Sequence, residues 1–160
     1  MGERAMGKVI AGMNKVVHIM LILLMTTLVI VVFCQIVFRF FDRSLPWTEE
    51  LSRYAMIWMT FLGAAYAVST RAHIGMELFV ERAQGVTKQI LIVIAATISG
   101  LFFVMMIVKG YELSMRVMDQ SSAVLQIPMG LVYLIMPISG VVLLINLLHV
   151  TVKELKGEMS

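Results

Sequence analysis

Residues 16–38 read VVHIMLILLMTTLVIVVFCQIVF, and this uncharged stretch decides which class of protein the chain belongs to. A helix of about 20 apolar residues crosses a hydrocarbon core of about 30 Å, so the stretch is long enough for one membrane span. It is also longer than the apolar region of a signal peptide, and Cys34-Gln35-Ile36 offers no small-residue cleavage site. We therefore expect residues 16–38 to remain as a membrane anchor.

Three further uncharged stretches follow, and together they predict four transmembrane helices. The predicted spans are residues 16–38, 54–70, 89–108 and 128–152. The last begins at about Pro128, because proline is tolerated in the first helical turn, and Pro137 inside it predicts a kink. Two short amphipathic helices are expected at the membrane interface, over about residues 6–15 and 75–85.

The composition agrees with a membrane protein. Hydrophobic residues make up 60% of the chain and charged residues 14%, whereas soluble domains have about 45–50% and about 25%. A globule of 160 residues cannot hide this excess, so the surplus apolar surface must face lipid. The Lys and Arg residues form no basic patch, which argues against nucleic acid as a partner. We predict an all-α integral membrane protein with a single domain over residues 1–160.

Four spans place both termini on one side of the membrane, and the basic residues indicate which side. Eight Lys and Arg lie on the side of the termini: Arg4, Lys8, Lys15, Arg71, Arg82, Lys88, Lys153 and Lys156. Five lie on the opposite side: Arg39, Arg43, Arg53, Lys109 and Arg116. The excess predicts cytoplasmic termini, because cytoplasmic loops are enriched in Lys and Arg.

Every Asp, Glu, Lys and Arg lies at or beyond the end of a predicted span. An ionisable residue within a membrane is costly and usually functional, and a proton-coupled carrier would need a buried carboxylate. No pair of helices broken by Gly or Pro in matching halves indicates a substrate site either. We therefore expect no catalytic residue, no metal and no cofactor in this chain, which would act as a packing element of a larger assembly.

Small residues four positions apart indicate close helix packing. Gly63 and Ala67 form one such pair, and Ala96 and Gly100 form another. Such pairs let helix backbones approach closely in lipid. They serve either to pack the predicted helices together or to contact a partner, and the spacing is compatible with both.

The three histidines leave a second function open. His18, His73 and His149 all fall near the predicted cytoplasmic ends of the spans. Two histidines at one depth could hold a haem, which predicts a haem- or quinone-binding anchor of a respiratory enzyme. The alternative is that histidine is simply well suited to the membrane interface. A self-assembling exporter, a third possibility, is disfavoured by the missing intramembrane carboxylate.

Residues 39–71 carry the densest group of polar and aromatic side chains. Pro46 is expected to begin a helix whose first turn holds Glu49 and Glu50, where the positive end of the helix dipole favours carboxylates. Either carboxylate can pair with Arg53, and Arg39 could reach them across the hairpin. The alternative is an interfacial belt of solvated ion pairs that contribute little.

This segment resembles a known family. Its pattern is Arg39, Trp47-x-Glu49-Glu50-x-x-Arg53, Trp58-x-x-Phe61-Leu62-Gly63-Ala64-Ala65-x-Ala67 and His73-Ile74. The later pattern is Gln120-Ser121-Ser122-Ala123-x-Leu125-x-Ile127-Pro128-Met129 followed by Tyr133-Leu134-Ile135-Met136-Pro137. Both resemble the small membrane (Q) subunit of tripartite ATP-independent periplasmic (TRAP) transporters, and the resemblance covers nearly the whole chain.

The resemblance implies a transporter subunit of the bacterial inner membrane. In this family a periplasmic binding protein captures an organic acid, usually a carboxylate, and a large membrane subunit carries it across with a sodium gradient. The small subunit would brace the large one, and sodium coupling would reside in the large subunit. Membrane lipid would be a further partner. The residues expected to have structural or interface roles are Arg39, Trp47, Glu49, Glu50, Arg53, Trp58, Gly63, Ala67, Pro128 and Pro137.

Overall fold

The computed structural model describes residues 2–70 and 86–155 and is helical over most of them. The helices in these ranges are α1 Gly2–Phe40, α2 Pro46–Ser69, α3 Val86–Arg116, α4 Met129–Tyr133 and α5 Ile135–Leu155. Backbone pairing of the β type is limited, over the same ranges, to one isolated bridge between Ser121 and Pro128. The predicted all-α class is confirmed, because a helix satisfies the backbone of an apolar stretch internally.

Three helical stretches are long and apolar enough to cross a membrane. They are Gly7–Phe40, Thr87–Arg116 and Met129–Lys153, and they overlap the predicted spans at 16–38, 89–108 and 128–152. The fourth predicted span falls in α2, whose 24 residues extend about 36 Å. Its length suffices for a bilayer, but Arg53, Tyr54 and Trp58 make it less apolar. The span at 54–70 stays a prediction.

The long helices pack in a row. α2 lies between α1 and α5, and α5 lies between α2 and α3. Only 11% of the most apolar stretch of α1, and likewise of α3, is buried, against 50% for the last span. Such exposed apolar surface is unsuited to water, so the outer helices face lipid or another membrane protein.

The core lies along the two inner helices. Fully buried positions include Leu62 and Ala65 on α2 and Ile135 and Leu143 on α5, with Val17 and Phe103 contributed by the outer helices. Buried polar side chains accompany them, among them Ser114, Ser139 and Asn146. Because lipid supplies no hydrophobic drive between helices, packing and hydrogen bonds hold the row together.

The first helix is continuous. Residues 6–15, predicted as an interfacial lead-in to the first span, are helical and continue without interruption into that span within the 39 residues of α1, and their place at the membrane interface stays a prediction. Gly7 and Gly12 each cost only about 1 kcal/mol in a helix, so neither ends it. α1 is about 58 Å long, roughly twice the hydrocarbon thickness, and it must extend beyond the membrane. The other predicted interfacial helix, residues 75–85, lies outside the described residues.

The last span is interrupted at one residue, Leu134, between α4 and α5. Pro128 precedes the first residue of α4 as its N-cap, and Leu134 keeps helical dihedral angles, φ −57° and ψ −21°, so the two helices continue as one span. Pro137 explains the position of the break, because it has no N–H for the carbonyl of Tyr133 and its ring crowds that carbonyl. The interruption lies one turn before Pro137, where the sequence predicted a disturbance of the helix.

The closest helix approaches occur at three glycines that the sequence pattern did not single out. A Cβ at Gly140 would lie 2.7 Å from Ile107 Cγ1, and one at Gly110 would lie 2.8 Å from Met136 Cβ. A Cβ at Gly130 would lie 2.5 Å from the Ser114 carbonyl oxygen. These glycines bring α3 against α4 and α5.

The predicted small-residue pairs are less tightly packed. A Cβ at Gly63 would have its nearest neighbour, Leu21 Cδ2, at 4.0 Å, and one at Gly100 would have Leu147 Cδ2 at 3.8 Å. Both distances are ordinary van der Waals contact. Close backbone approach within this chain therefore does not depend on Gly63, and a role for Gly63 and Ala67 at a partner's surface stays a prediction.

Candidate functional site

The polar segment identified from the sequence forms the turn before α2 and the first two turns of that helix. Asp42 adopts a left-handed conformation with φ 53°, and the Arg43 N–H donates to the Phe38 carbonyl at 3.1 Å. Pro46 occupies the first helical position, as predicted. The buried Thr48 hydroxyl donates to the Leu45 carbonyl at 2.6 Å, which holds the start of the helix against the turn.

Glu50 joins α2 to a loop more than 70 residues away in sequence. Its Oε1 accepts a hydrogen bond from the Tyr54 hydroxyl at 2.5 Å. Its Oε2 accepts the backbone N–H groups of Val124 and Leu125 at 3.0 and 2.8 Å. We call Glu50, Tyr54 and the loop 120–128 the Glu50 clasp.

The clasp keeps the carboxylate ionised. The Tyr54 hydroxyl contributes most to lowering the pKa of Glu50, partial burial opposes it, and the bonds from the Leu125 and Val124 N–H groups, together with the nearby Ser122 hydroxyl, add to the lowering. The pKa falls from its ordinary 4.5 to about 2. Hydrogen bonds to the charged form favour that form, so Glu50 is an anion at any physiological pH.

The loop that receives Glu50 is closed by its own hydrogen bonds. The Ser122 N–H donates to the Ile127 carbonyl at 2.9 Å, and the Ile127 N–H donates back to Ser122 Oγ at 3.1 Å. Gln126 takes the left-handed conformation, φ 54°, that this tight closure requires. The closed loop directs the N–H groups of Val124 and Leu125 at Glu50 Oε2, and such a backbone arrangement is suited to an anion.

The loop is also fixed to the helices that flank it. The Met129 N–H, at the start of α4, donates to the Gln120 carbonyl at 2.7 Å. The buried Ser114 hydroxyl of α3 donates to the Gly130 carbonyl at 2.7 Å. The two sequence patterns that carried the family resemblance therefore meet at one end of the molecule.

Glu50 differs from its predicted role, since its carboxylate binds the 120–128 loop and not the hairpin between α1 and α2. Glu49 makes the predicted ion pair with Arg53 at 3.2 Å, but both side chains are 66% exposed. Such pairs contribute about 0–1 kcal/mol. Within residues 2–70 and 86–155, Arg39 forms no ion pair with either carboxylate.

The two tryptophans occupy different environments. Trp47 stands at the start of α2 with 42% of its surface exposed, which agrees with a place at the membrane interface. Trp58 is partly buried and packs against the core. Trp47 is therefore the more accessible of the two for a partner.

A second polar contact joins three helices at the opposite end of the row. Asn14 of α1 and Asn146 of α5 exchange two hydrogen bonds of 3.0 Å, and Asn146 also donates to the Ala65 carbonyl of α2 at 3.1 Å. Asn146 is 1% exposed. The sequence analysis did not predict this pairing.

The histidines offer little to a haem. The His18 ring stacks on Tyr66, with centroids 5.1 Å apart and planes 13° from parallel. His149 lines a cleft at the Asn14 end of the molecule, and His73 lies outside the described residues. Over the described ranges, no group of three or more His, Cys, Asp or Glu is arranged to hold a metal ion.

Comparison with known proteins agrees with the resemblance found in the sequence. A family model described as the DctQ component of tripartite ATP-independent periplasmic transporters matches residues 28–157. A protein of Haemophilus influenzae named as a TRAP transporter small permease protein is 28% identical over 130 residues, which cover 80% of each chain.

Two proteins named C4-dicarboxylate TRAP transporter small permease protein DctQ are also similar. The one from Rhodobacter capsulatus is 29% identical over 109 residues, covering 67% of this chain and 48% of that protein. The one from Pseudomonas aeruginosa is 34% identical over 53 residues, covering 33% and 25%. The similarity to the first of these two therefore extends over about half of its length.

Proposed function

Because the chain belongs to the family of DctQ components of tripartite ATP-independent periplasmic transporters, we propose that it braces the large membrane subunit of a sodium-coupled transporter. The solute would be an organic acid delivered by a periplasmic binding protein. Relatives from Rhodobacter capsulatus and Pseudomonas aeruginosa are named for C4-dicarboxylates, which favours a carboxylate. The sodium site would lie in the large subunit.

The absence of Asp, Glu, Lys and Arg from residues 16–38, 54–70, 89–108 and 128–152 is the observation that carries this proposal. The charged residues of α2 lie in its first two turns, and those of α3 and α5 lie toward helix ends. The amides of Asn14 and Asn146 bind each other, and the buried Asn146 amide also binds the Ala65 carbonyl, so its polarity is satisfied within the chain. This arrangement suits a rigid support for another subunit better than it suits a path for the solute.

Exposed apolar surface on both outer helices supports contact with a large membrane partner. α1 and α3 are each packed on one side only, and their remaining surface is available to lipid or protein. The Glu50 clasp ties the inner helix α2 to the α3–α4 connection, which stiffens the row. With the termini in the cytoplasm, the clasp faces the periplasm and lies on the side of the binding protein.

Transport by reconstituted components tests the proposal. Vesicles containing this chain and the large subunit, with the binding protein outside and a sodium gradient imposed, should accumulate a labelled C4-dicarboxylate. Vesicles with either membrane subunit alone should not. Accumulation of an organic anion by this chain without the large subunit would contradict the bracing role.

A further inference from the structure

A cleft of about 500 Å³ opens at the end of the molecule where α2 stops. The early turns of α1 and the last turns of α5 continue past this point and form its walls. The residues that matter here are Gly7, Lys8, Asn14, Ser69, His149 and Lys153. None of the described residues that line the cleft is acidic.

The two lysines stand at similar heights on opposite walls. Asn14 and Asn146, bonded to each other, join the walls at the base of the cleft. Lys8 lies six residues before Asn14 on α1, and Lys153 lies seven residues after Asn146 on α5. At about 1.5 Å per residue, each lysine is about 9–10 Å above the amide pair. Both ammonium groups therefore belong to the mouth of one cleft.

The cleft also retains a hydrogen-bond donor near its base. An asparagine amide has two N–H donors, and Asn14 gives one of them to Asn146 Oδ1. Among the described residues no acceptor takes the second. Lys153 lies in the last turn of its helix, where the dipole favours a cation, but the dipole does not account for Lys8. One anion between the walls would account for both lysines and the amide.

We propose that this cleft binds the phosphate group of an anionic phospholipid, between Lys8 and Lys153. Basic pockets between transmembrane helices on the cytoplasmic side suit lipid headgroups. Lys153 directly follows residue 152, where the last predicted span ends, so the mouth lies at the level of the lipid headgroups. Val9 and Val16, exposed on α1 at 72% and 58%, supply apolar surface for acyl chains. This site is independent of the bracing function.

Lipid retention by the purified chain in mild detergent tests the site. The probes are phosphatidylglycerol, phosphatidylcholine and inorganic phosphate, and the readout is native mass spectrometry. The variant is Lys8→Gln with Lys153→Gln. The matched control, Lys15→Gln with Lys88→Gln, removes the same charge from exposed positions that do not line the cleft. Circular dichroism checks that both variants remain helical.

We expect the cleft variant to retain about tenfold less phosphatidylglycerol than the unaltered chain, and the control to stay within about twofold. Phosphatidylcholine should be retained weakly by all three proteins. Displacement of the lipid by millimolar inorganic phosphate would support the same site with the free anion as its ligand. Equal retention of phosphatidylglycerol by the two variants, or of the two lipids by the unaltered chain, would overturn the proposal.

Discussion

The Glu50 carboxylate provides a connection between α2 and the 120–128 loop that no neighbouring side chain duplicates. It accepts three hydrogen bonds, two of them from backbone N–H groups that have no other described partner. Its neighbour Glu49 has the same side chain, one position earlier, but points to solvent with Arg53. A substitution of Glu50 therefore tests the connection, and the same substitution of Glu49 is its matched control.

Replacing Glu50→Gln should destabilise the chain, because the amide offers an N–H toward donors and removes the charge. We expect the melting temperature to fall by roughly 5 °C, and that of Glu49→Gln to change by about 1 °C or less. Differential scanning fluorimetry in detergent measures both. Similar melting temperatures for the two variants would show that the clasp does not stabilise the fold.

The lowered pKa of Glu50 predicts a pH dependence. The pKa is about 2 in the folded chain and 4.5 ordinarily, so the unfolded state binds the proton first as pH falls. The stabilisation is complete above about pH 4.5 and is lost as the pH falls toward 2. The difference in melting temperature between the unaltered chain and Glu50→Gln should therefore shrink over this interval. A difference that stays constant from pH 6 to pH 2.5 would contradict the assignment.

The helices are held in register by polar pairs and by glycines. The amide pair joins α1, α2 and α5, and the close approaches at Gly110, Gly130 and Gly140 hold α3 against the last span. The predicted small-residue pair at Gly63 is not among these contacts. The contributions of the amide pair, of the closely packed glycines and of Gly63 can be measured separately.

Removing both members of the amide pair should cost less stability than the two single removals added together. Asn146→Leu leaves the half-buried Asn14 amide and the Ala65 carbonyl without their partner, at a cost of about 1–3 kcal/mol. Adding Asn14→Leu removes one of these unpaired groups, so the double variant should lose less than the sum of the single variants. Denaturation of all three in mixed micelles supplies the cycle. Strict additivity would show that the two amides do not interact.

Alanine at two glycines should have opposite effects on the chain. Gly130→Ala places a methyl 2.5 Å from the Ser114 carbonyl oxygen and 2.9 Å from Met118 Cα, and overpacking of this kind costs about 1–3 kcal/mol. Gly63→Ala has room, and alanine favours a helix over glycine by about 1 kcal/mol. Thermal unfolding of the chain separates them. If Gly63→Ala also weakens binding of the large subunit, residue 63 belongs to that interface.

The whole molecule presents its two polar ends to opposite sides of the row, with the Glu50 clasp at one end and the basic cleft at the other. The excess of Lys and Arg beside the termini predicts that the cleft faces the cytoplasm. This orientation also requires α2 to cross the membrane. Both statements can be tested together.

Selective labelling of single cysteines measures the orientation. Cys34 is the only cysteine, so Cys34→Ser provides a background without thiols. A membrane-impermeant maleimide applied to intact spheroplasts should label Arg43→Cys and should reach Lys153→Cys only after lysis. The reverse pattern would invert the topology, and labelling of both sites before lysis would show an even number of crossings between them, as expected if α2 does not span the membrane.

Local properties of the chain could be predicted from the amino-acid sequence alone. Residues 16–38 and 89–108 predicted membrane-spanning helices, because the hydrophobicity and length of a stretch depend only on residues that follow one another in the sequence. Pro46 and Pro137 marked a helix start and a break, because proline acts on its own backbone and on the turn before it. The family resemblance also rested on short runs of residues.

The partners of Glu50, of Asn14 and of Gly130 required the folded chain. Glu50 contacts backbone N–H groups, which every residue but proline possesses, so no side-chain pattern near residue 124 could reveal them. Asn14 and Asn146 lie 132 positions apart. Their contact depends on how far one helix is shifted along another, and that shift follows from packing of entire helix faces. The shift of one helix along its neighbour is set only when all the helices pack together, so a pattern of nearby residues in the sequence does not determine it.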